Sequence, residues 1–400
     1  EYFSSQALAV SAGYRPCLRC RPESAPHSWA WKGAETTFLR ALTLIEQGEL
    51  DGSLETLASR LGISDRYLRQ LFQRHLGMPP KQYAQIQQLM FAKQLLHTSQ
   101  ISITEVAYAS GFQSTRRFND AFQKLFRLTP TQVRRERAAL PSRNHLSLAF
   151  RGPFDWAHML DFYRLRAIEG MELIDEQSYQ RHFVLGEGTG WFKASMAQSH
   201  LDIEFEMERL SDLRHLVARL RRMFDLDADL ISIEAHLEQL APGLVRRTGI
   251  RIPGVWNAWE AGVRAVLGQQ VSVKAAIGQL NLLVSTLAAS EGSTRYFPTP
   301  EQVQMSDLSF LRMPERRKET LKRLADYVRL HPMDSPMAWL SLSGIGPWTV
   351  DYAQLRGESR SHCFLTGDLI VKKALAKFPQ LTAESVAPWG SYATFHCWSH

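Results

Sequence analysis

One pattern occurs twice between residues 53 and 126, and it constrains the first third of the chain to a helical tandem. The runs Ser53–Leu61, Gly62, Ser64–His75 are answered by Ile103–Ser110, Gly111, Ser114–Phe126. Ser53 and Ser64 suit N-caps, because a short hydroxyl satisfies amides that a helix start leaves free, and each Gly suits the turn between two helices. A further helix is expected over Thr36–Gln47, closed by Gly48, and a long one from Pro80 to His97 joins the two copies. Leu57, Ala58, Leu61, Ile63, Leu68 and Phe72 supply a core for the first copy, and Val106, Ala107, Phe112, Phe118 and Phe122 for the second. Asp65, Arg66, Arg69 and Gln70 are then left to face outward, as are Thr115, Arg116, Arg117 and Asn119. An exposed polar face on the second helix of such a unit fits a major groove, where Arg grips guanine edges or phosphates. One helix pair would be weak evidence, since antiparallel pairs abound. Two in tandem are far more specific.

Charge follows the same division. Residues 31–137 carry fifteen Lys and Arg against nine Asp and Glu, while the overall formal charge is only +7. Residues 1–30 add +1, so the remaining 263 residues sum to zero. The excess therefore sits where a grip on phosphates is expected. At 400 residues, 44% hydrophobic and 22% charged, the chain has the make-up of a soluble multidomain protein. No apolar run is long enough for a membrane span, and nothing at the start reads as a signal peptide. Four cysteines in so long a chain suit a reducing cytosol rather than a disulfide scaffold. Residue 1 is Glu and the last residues stop within an expected helix, so the chain reads as a fragment.

Beyond a linker at Pro141–Asn144 the periodicity changes. Leu146, Leu148 and Phe150 recur at every second position, and Leu201, Ile203, Phe205 and Met207 alternate with Asp202, Glu204, Glu206 and Glu208. Glycines at 186, 188 and 190 separate two more strand-like runs, Tyr179–Leu185 and Trp191–Ala197. With a helix at Asp155–Ala167 this predicts a small antiparallel sheet carrying a helix on one face. From Ser211 onward helices are expected again, among them Val255–Leu267, Ser272–Ala289, Arg316–Leu330, Trp348–Leu355, Asp368–Phe378 and Tyr392–Ser399. The fold class is thus multidomain and mainly α: a tandem helix-turn-helix domain, then an α+β part.

Two motifs carry chemistry. Cys17-x-x-Cys20 has zinc-ligand spacing, but a closed structural site needs four donors. Cys363 and Cys397 lie in apolar helical surroundings at the other end of the chain and are given no ligand role. Leu342-Ser343-Gly344-Ile345-Gly346-Pro347 ends one helix and opens the next at once, a hairpin whose backbone amides at Gly344, Ile345 and Gly346 can take a phosphate. Alone it could be an ordinary turn. Asp368 follows sixteen residues after Tyr352 and suits an N-cap for the next helix.

The tandem, ending Gly111-Phe112-Gln113-Ser114 with Phe118, Phe122 and Thr129-Pro130, resembles the DNA-binding domain of AraC/XylS regulators over about a hundred residues. The segment 12–22 around Cys17 and Cys20 resembles the end of the Ada zinc domain. That resemblance implies two further cysteines upstream, so zinc is expected only in a longer chain. From about Asn144 onward the chain resembles the helix-hairpin-helix DNA glycosylases and is close to the 3-methyladenine DNA glycosylase II (AlkA) branch. The matching blocks are Phe154-Asp155-Trp156 with Phe162, Gly262–Val273, Phe297–Pro300, Gly344–Thr349 and Trp389–Ala393. The domains expected are a zinc-domain remnant over 1–30, the AraC-type module over 31–137, a sheet domain over 145–210 and the glycosylase helices over 211–400.

The resemblance implies that Asp368 is the catalytic carboxylate and that Phe162, Trp348, Tyr352 and Trp398 wall the pocket for a flipped base. It places Gln270 where relatives insert an apolar wedge into the duplex, which puts the efficiency of bending in doubt but not the chemistry. A cationic base such as 3-methyladenine or 7-methylguanine leaves without an acid, so one carboxylate suffices and no cofactor is required. Four electron-rich rings suit that cation. Trp348 stands where lyase-competent relatives have a Lys, so hydrolysis without strand cleavage is expected. The implied partners are double-stranded DNA, both alkylated and as an operator, and RNA polymerase; no membrane partner is expected, and the setting is cytoplasmic. The competing expectation is a regulator whose glycosylase-like half is an inactive sensor.

Overall fold

The computed structural model describes residues 53–135, 144–288 and 294–400, together with Tyr14, a few residues between 38 and 45, and 290–292. Cys17 and Cys20 lie outside the described residues. The chain divides into two compact units, one of residues 1–149 and 202–218, the other of residues 150–201 and 219–400.

The first unit holds the tandem. Helices α1 (Leu54–Arg60) and α2 (Asp65–Leu76) form the first copy, and α4 (Ile103–Ala109) and α5 (Thr115–Phe126) the second. Helix α3 (Pro80–Thr98) joins them. The duplication extends to single hydrogen bonds. Gly62 and Gly111 both have positive φ, +69° and +84°, which a residue without a Cβ adopts at little cost. In each turn the next amide reaches back five residues, Ile63 to the Ala58 carbonyl and Phe112 to that of Ala107, both at 3.0 Å. Ser53 and Ser64 cap their helices as expected, Ser114 caps the last of them, and Ser102 completes a capping box with Glu105. Leu57, Leu68, Phe72, Val106, Phe118 and Phe122 are fully buried. The same unit contains β1 (His145–Ala149) and most of β5 (His200–Met207), neighbours in a sheet. Leu146, Leu148, Ile203 and Phe205 are buried while Glu204 and Glu206 face out, the alternation that the sequence predicts.

In the second unit, β2 (Glu172–Ile174), β3 (Ser178–Leu185) and β4 (Gly188–Met196) pair antiparallel, with Tyr179 opposite Ala194 and Phe183 opposite Gly190. Helix α6 (Trp156–Arg164) is capped by Asp155, whose carboxylate accepts the His158 amide at 3.0 Å. Two apolar clusters follow. One gathers Trp259, Val263, Val266 and Leu267 of α7 (Ala258–Gly268) with Leu280, Leu283, Leu324 and Trp339. The other gathers Ile233, Leu237, Leu365, Val371, Phe395 and Cys397. Helix α8 (Pro347–Glu358) serves both, giving Val350 and Ala353 to the first and Leu355 to the second. It crosses α7 so closely that a Cβ on Gly357 would stand 2.5 Å from the Ala258 Cα.

Charge is also buried here. Arg181 bonds Glu172 and Glu260, and Arg264 bonds the same two carboxylates, all almost wholly covered. Burial opposes charge on these groups, but mutual attraction outweighs it: Glu260 is held down to about 2, and both guanidiniums are pushed above their usual range.

Candidate active site

Helix α6, the α7–α9 turn (α9 spans Val273–Leu287), helix α8 and the chain around Asp368 enclose a cavity of about 450 Å³. Its walls include Phe162, Trp348, Tyr352, Asp368 and Trp398, five residues separated by up to 236 positions in sequence. Each is placed by its helix. Phe162 lies on the inner face of α6. Trp348 and Tyr352 are four apart on α8 and stack at 5.3 Å between ring centroids. Trp398 ends α11 (Gly390–Trp398) and lies nearly parallel to Phe162, 6.2 Å away.

Asp368 is the expected N-cap and also lines the cavity. It caps α10 (Leu369–Leu375), with Oδ1 accepting the amides of Ile370 at 2.8 Å and Val371 at 3.2 Å. The same Oδ1 accepts the Trp398 indole N–H at 3.1 Å. Oδ2 takes no hydrogen bond among the described residues and is left for chemistry.

The sequence reading missed the cations. Arg166 and Arg264 also line the cavity. The Arg166 guanidinium sits 3.7 Å above the Phe162 ring, and that of Arg356 lies 4.8 Å from it. The Phe162 ring thus already faces two guanidiniums of the protein itself. Burial lowers the Arg166 pKa to about 10, so it stays charged at neutral pH. Burial would raise the Tyr352 phenol, yet Arg356, Arg166 and Arg264 outweigh it and hold the phenol below its usual range; Arg356 also donates to its oxygen at 2.8 Å. The only signal in the sequence was Arg166 and Arg264 interrupting otherwise apolar helical faces. His158 lines the same cavity, its pKa lowered chiefly by burial. No lysine is among the lining residues.

One of the three hairpin amides is used within the protein. Ile345 is buried, and its amide donates to the Leu342 carbonyl at 3.1 Å, so that amide is spent. The Gly346 amide, at the N-cap of α8, and that of Trp348 remain for an outside acceptor. Gly344 needs its φ of +92°, and a Cβ there would meet Thr320 Oγ1 at 2.1 Å. At Gly346 a Cβ would meet nothing.

Gln270 occupies the turn after α7, exposed and with φ +55°. Its neighbour Gln269 ties that turn to the hairpin, donating to the Gly344 carbonyl and to Thr349 Oγ1, both at 3.2 Å. On the tandem, Arg66, Arg69, Gln70, Arg116, Arg117 and Asn119 are exposed and Thr115 is half-buried. Arg69 pairs with Asp65 at 3.3 Å. Cys363 and Cys397 are buried free thiols, each pushed up to about 12 mainly by burial, and no metal-binding cluster occurs among the described residues. No described helix is long and apolar enough to cross a membrane.

Comparison with known proteins agrees with this layout. Family models match over residues 1–23 (metal binding domain of Ada), 57–136 (helix-turn-helix domain) and 145–257 (AlkA N-terminal domain). Along its whole length the chain is 32% identical to a probable bifunctional transcriptional activator/DNA repair enzyme AlkA of Mycobacterium tuberculosis, covering 87% of that protein. This chain belongs to the AlkA family. Over 63% of its length it is also 33% identical to DNA-3-methyladenine glycosylase 2 of Escherichia coli, covering 96% of it. The fold matches a 3-methyladenine DNA-glycosylase from Archaeoglobus fulgidus with a TM-score of 0.53 at 16% identity, over 63% of this chain and 96% of that one.

Proposed function

We propose that the chain removes alkylated purines such as 3-methyladenine and 7-methylguanine from double-stranded DNA by base flipping and hydrolysis, and that its tandem binds an operator. One observation carries the reading: Asp368, with Oδ2 open, shares a cavity with Trp348, Tyr352 and Trp398. The size suits a base, since small-molecule sites span about 300–1,000 Å³. Cleavage breaks the bond from C1′ to the purine nitrogen, and the electron pair neutralises the cationic base. Asp368 Oδ2 stabilises the positive sugar, water adds to C1′, and its proton passes to the carboxylate or solvent. No cofactor takes part.

With Arg166 and Arg264 in the wall, the rings cannot supply the whole preference for a cation. Selection then leans on the weakness of the damaged bond, which favours a broad range of bases. We assign the domains to 31–137, 145–210 and 211–400, the phosphate grip to the amides of Gly346 and Trp348, and operator contacts to Arg66, Arg69, Gln70, Thr115, Arg116, Arg117 and Asn119. RNA polymerase is the further partner of the regulatory part, and the cytosol its setting. Chromatography of free bases from methylated DNA tests the reading; a protein that binds such DNA but releases nothing is a sensor instead.

A further inference from the structure

We infer that Arg166 sets the cavity's preference between charged and uncharged bases: its guanidinium takes the acceptor edge of an extruded base and stabilises the electron pair that arrives there. The inference rests on the glycosylase reading. Two arginines line the cavity, and they are not equivalent. Arg264 is consumed within the protein, bonding Glu260 at 2.8 Å and Glu172 at 3.2 Å and holding the Arg166 backbone carbonyl at 3.0 Å. Arg166 has no carboxylate partner among the described residues. Of its five N–H groups one reaches the Phe162 carbonyl at 3.2 Å, and the other four are unpartnered among the described residues. Its backbone is pinned by Arg264 and by its own amide, which donates to the Tyr163 carbonyl at 2.8 Å. The guanidinium rests 3.7 Å above Phe162, which stacks with Trp398, which in turn donates to Asp368. A carboxylate and an unpaired guanidinium thus line one cavity, linked by two rings.

Cleavage breaks the bond from C1′ to the purine nitrogen and leaves both electrons on the base. A cationic base becomes neutral. An uncharged one becomes an anion, spread over ring nitrogens and any carbonyl oxygen, and takes a proton from water afterwards. A guanidinium donates to such an anion through charge-assisted hydrogen bonds, which are the strong kind. Measured from free protein and free duplex, Arg166 therefore favours the uncharged base, whose negative charge develops beside it. It gives nothing to the cationic base, which it repels on entry. Asp368 serves both, because the sugar becomes positive in either case. One hydrogen bond to a charged group corresponds to about tenfold in rate.

The test uses duplexes carrying one hypoxanthine, an uncharged purine with a carbonyl oxygen, or one 7-methylguanine, a cation, each opposite cytosine. The quantity measured is kcat/KM for each base with the wild type, Arg166→Met and Arg166→Lys. The ratio of hypoxanthine to 7-methylguanine cancels general effects of a substitution on folding or duplex binding. It is expected to fall by about tenfold in Arg166→Met, with the loss confined to hypoxanthine. Arg166→Lys retains the charge and should keep most of the ratio. The same ratio in the wild type and Arg166→Met would overturn the role of Arg166, as would release of 7-methylguanine but no hypoxanthine by the wild type. No release of either base by the wild type would overturn the glycosylase reading itself.

Discussion

Asp368 Oδ1 accepts three hydrogen bonds, from the amides of Ile370 and Val371 and from the Trp398 indole at 3.1 Å, and this leaves Oδ2 without a partner among the described residues. A carboxylate held by one oxygen is aimed by the other. Asp368→Asn keeps the cap, because Asn accepts the same amides, but removes the charge. Base release should fall by about 10²–10³, the scale of losing one preorganised electrostatic group, with an unchanged melting temperature. Trp398→Phe keeps a ring and loses one hydrogen bond to a charged acceptor, so kcat should fall by about tenfold. Full excision by Asp368→Asn would remove the catalytic assignment.

The two hairpin glycines should behave differently. Gly344→Ala drives a methyl into Thr320 and strains the backbone, so both melting temperature and DNA affinity should drop. Gly346→Ala meets nothing within 4 Å in the protein and adds a methyl at the residue whose amide is proposed to take a phosphate. Affinity for duplex DNA should then drop by about tenfold with the melting temperature intact. Equal thermal losses in both variants would show that the amides at 346 and 348 hold no phosphate.

These two sites show what could be read in advance. The tandem was legible to single turns, because Gly62 and Gly111 and the Ser caps act locally and repeat. Asp368 and the rings were legible through resemblance, although periodicity gave only their helices. The Arg356 cation at Phe162 was not legible, since it reaches that ring only after α6 and α8 pack together, whereas Arg166 lies four residues along the same segment and left a local signal. The ion cluster of Arg181, Glu172, Glu260 and Arg264 escaped for the same reason: its members come from two strands and a helix, and only Glu260 and Arg264, four apart on α7, had a local signal. Short β2 was missed because three residues carry no periodicity.

A Schiff base needs an amine within reach of C1′, and the cavity has none among its lining residues. Borohydride added during turnover should therefore trap no protein–DNA adduct, and the product should be an intact abasic strand that breaks only on treatment with alkali. A trapped adduct would mean that a lysine enters the site from elsewhere.

Operator binding is expected to follow the exposed arginines of α2 and α5. Arg116→Gln and Arg117→Gln should each lower the salt dependence of binding by about one unit of slope if the side chain holds phosphate. If either reads a base edge, its loss should instead relax sequence preference at one position. Arg69 is tied to Asp65 by an exposed pair of small worth, so Asp65→Asn should strengthen non-specific DNA binding. Gel shifts across a salt series distinguish these outcomes.

His396 sets an acid limit on stability. It is buried on α11 two residues before Trp398, and neither ring nitrogen has a hydrogen-bond partner among the described residues. Glu234 lies 4.0 Å from Nε2, too far to offset the loss of water. Burial, aided by His158 and His400, lowers its pKa to about 4. An unfolded histidine titrates near 6.5, so between pH 6.5 and 4 the unfolded chain binds a proton that the folded one refuses. The stabilisation is complete above pH 6.5 and is lost as pH falls to about 4, by about 3 kcal/mol over that window. Asp225 works the other way: burial raises its pKa to about 7, so its contribution is lost as pH rises from the unfolded carboxylate range through 7. His396→Phe should remove the first effect and leave the second, so its melting temperature should gain on the wild type steadily below pH 6.5. Parallel melting curves for the two proteins from pH 7 to 4 would show that the acid sensitivity arises elsewhere.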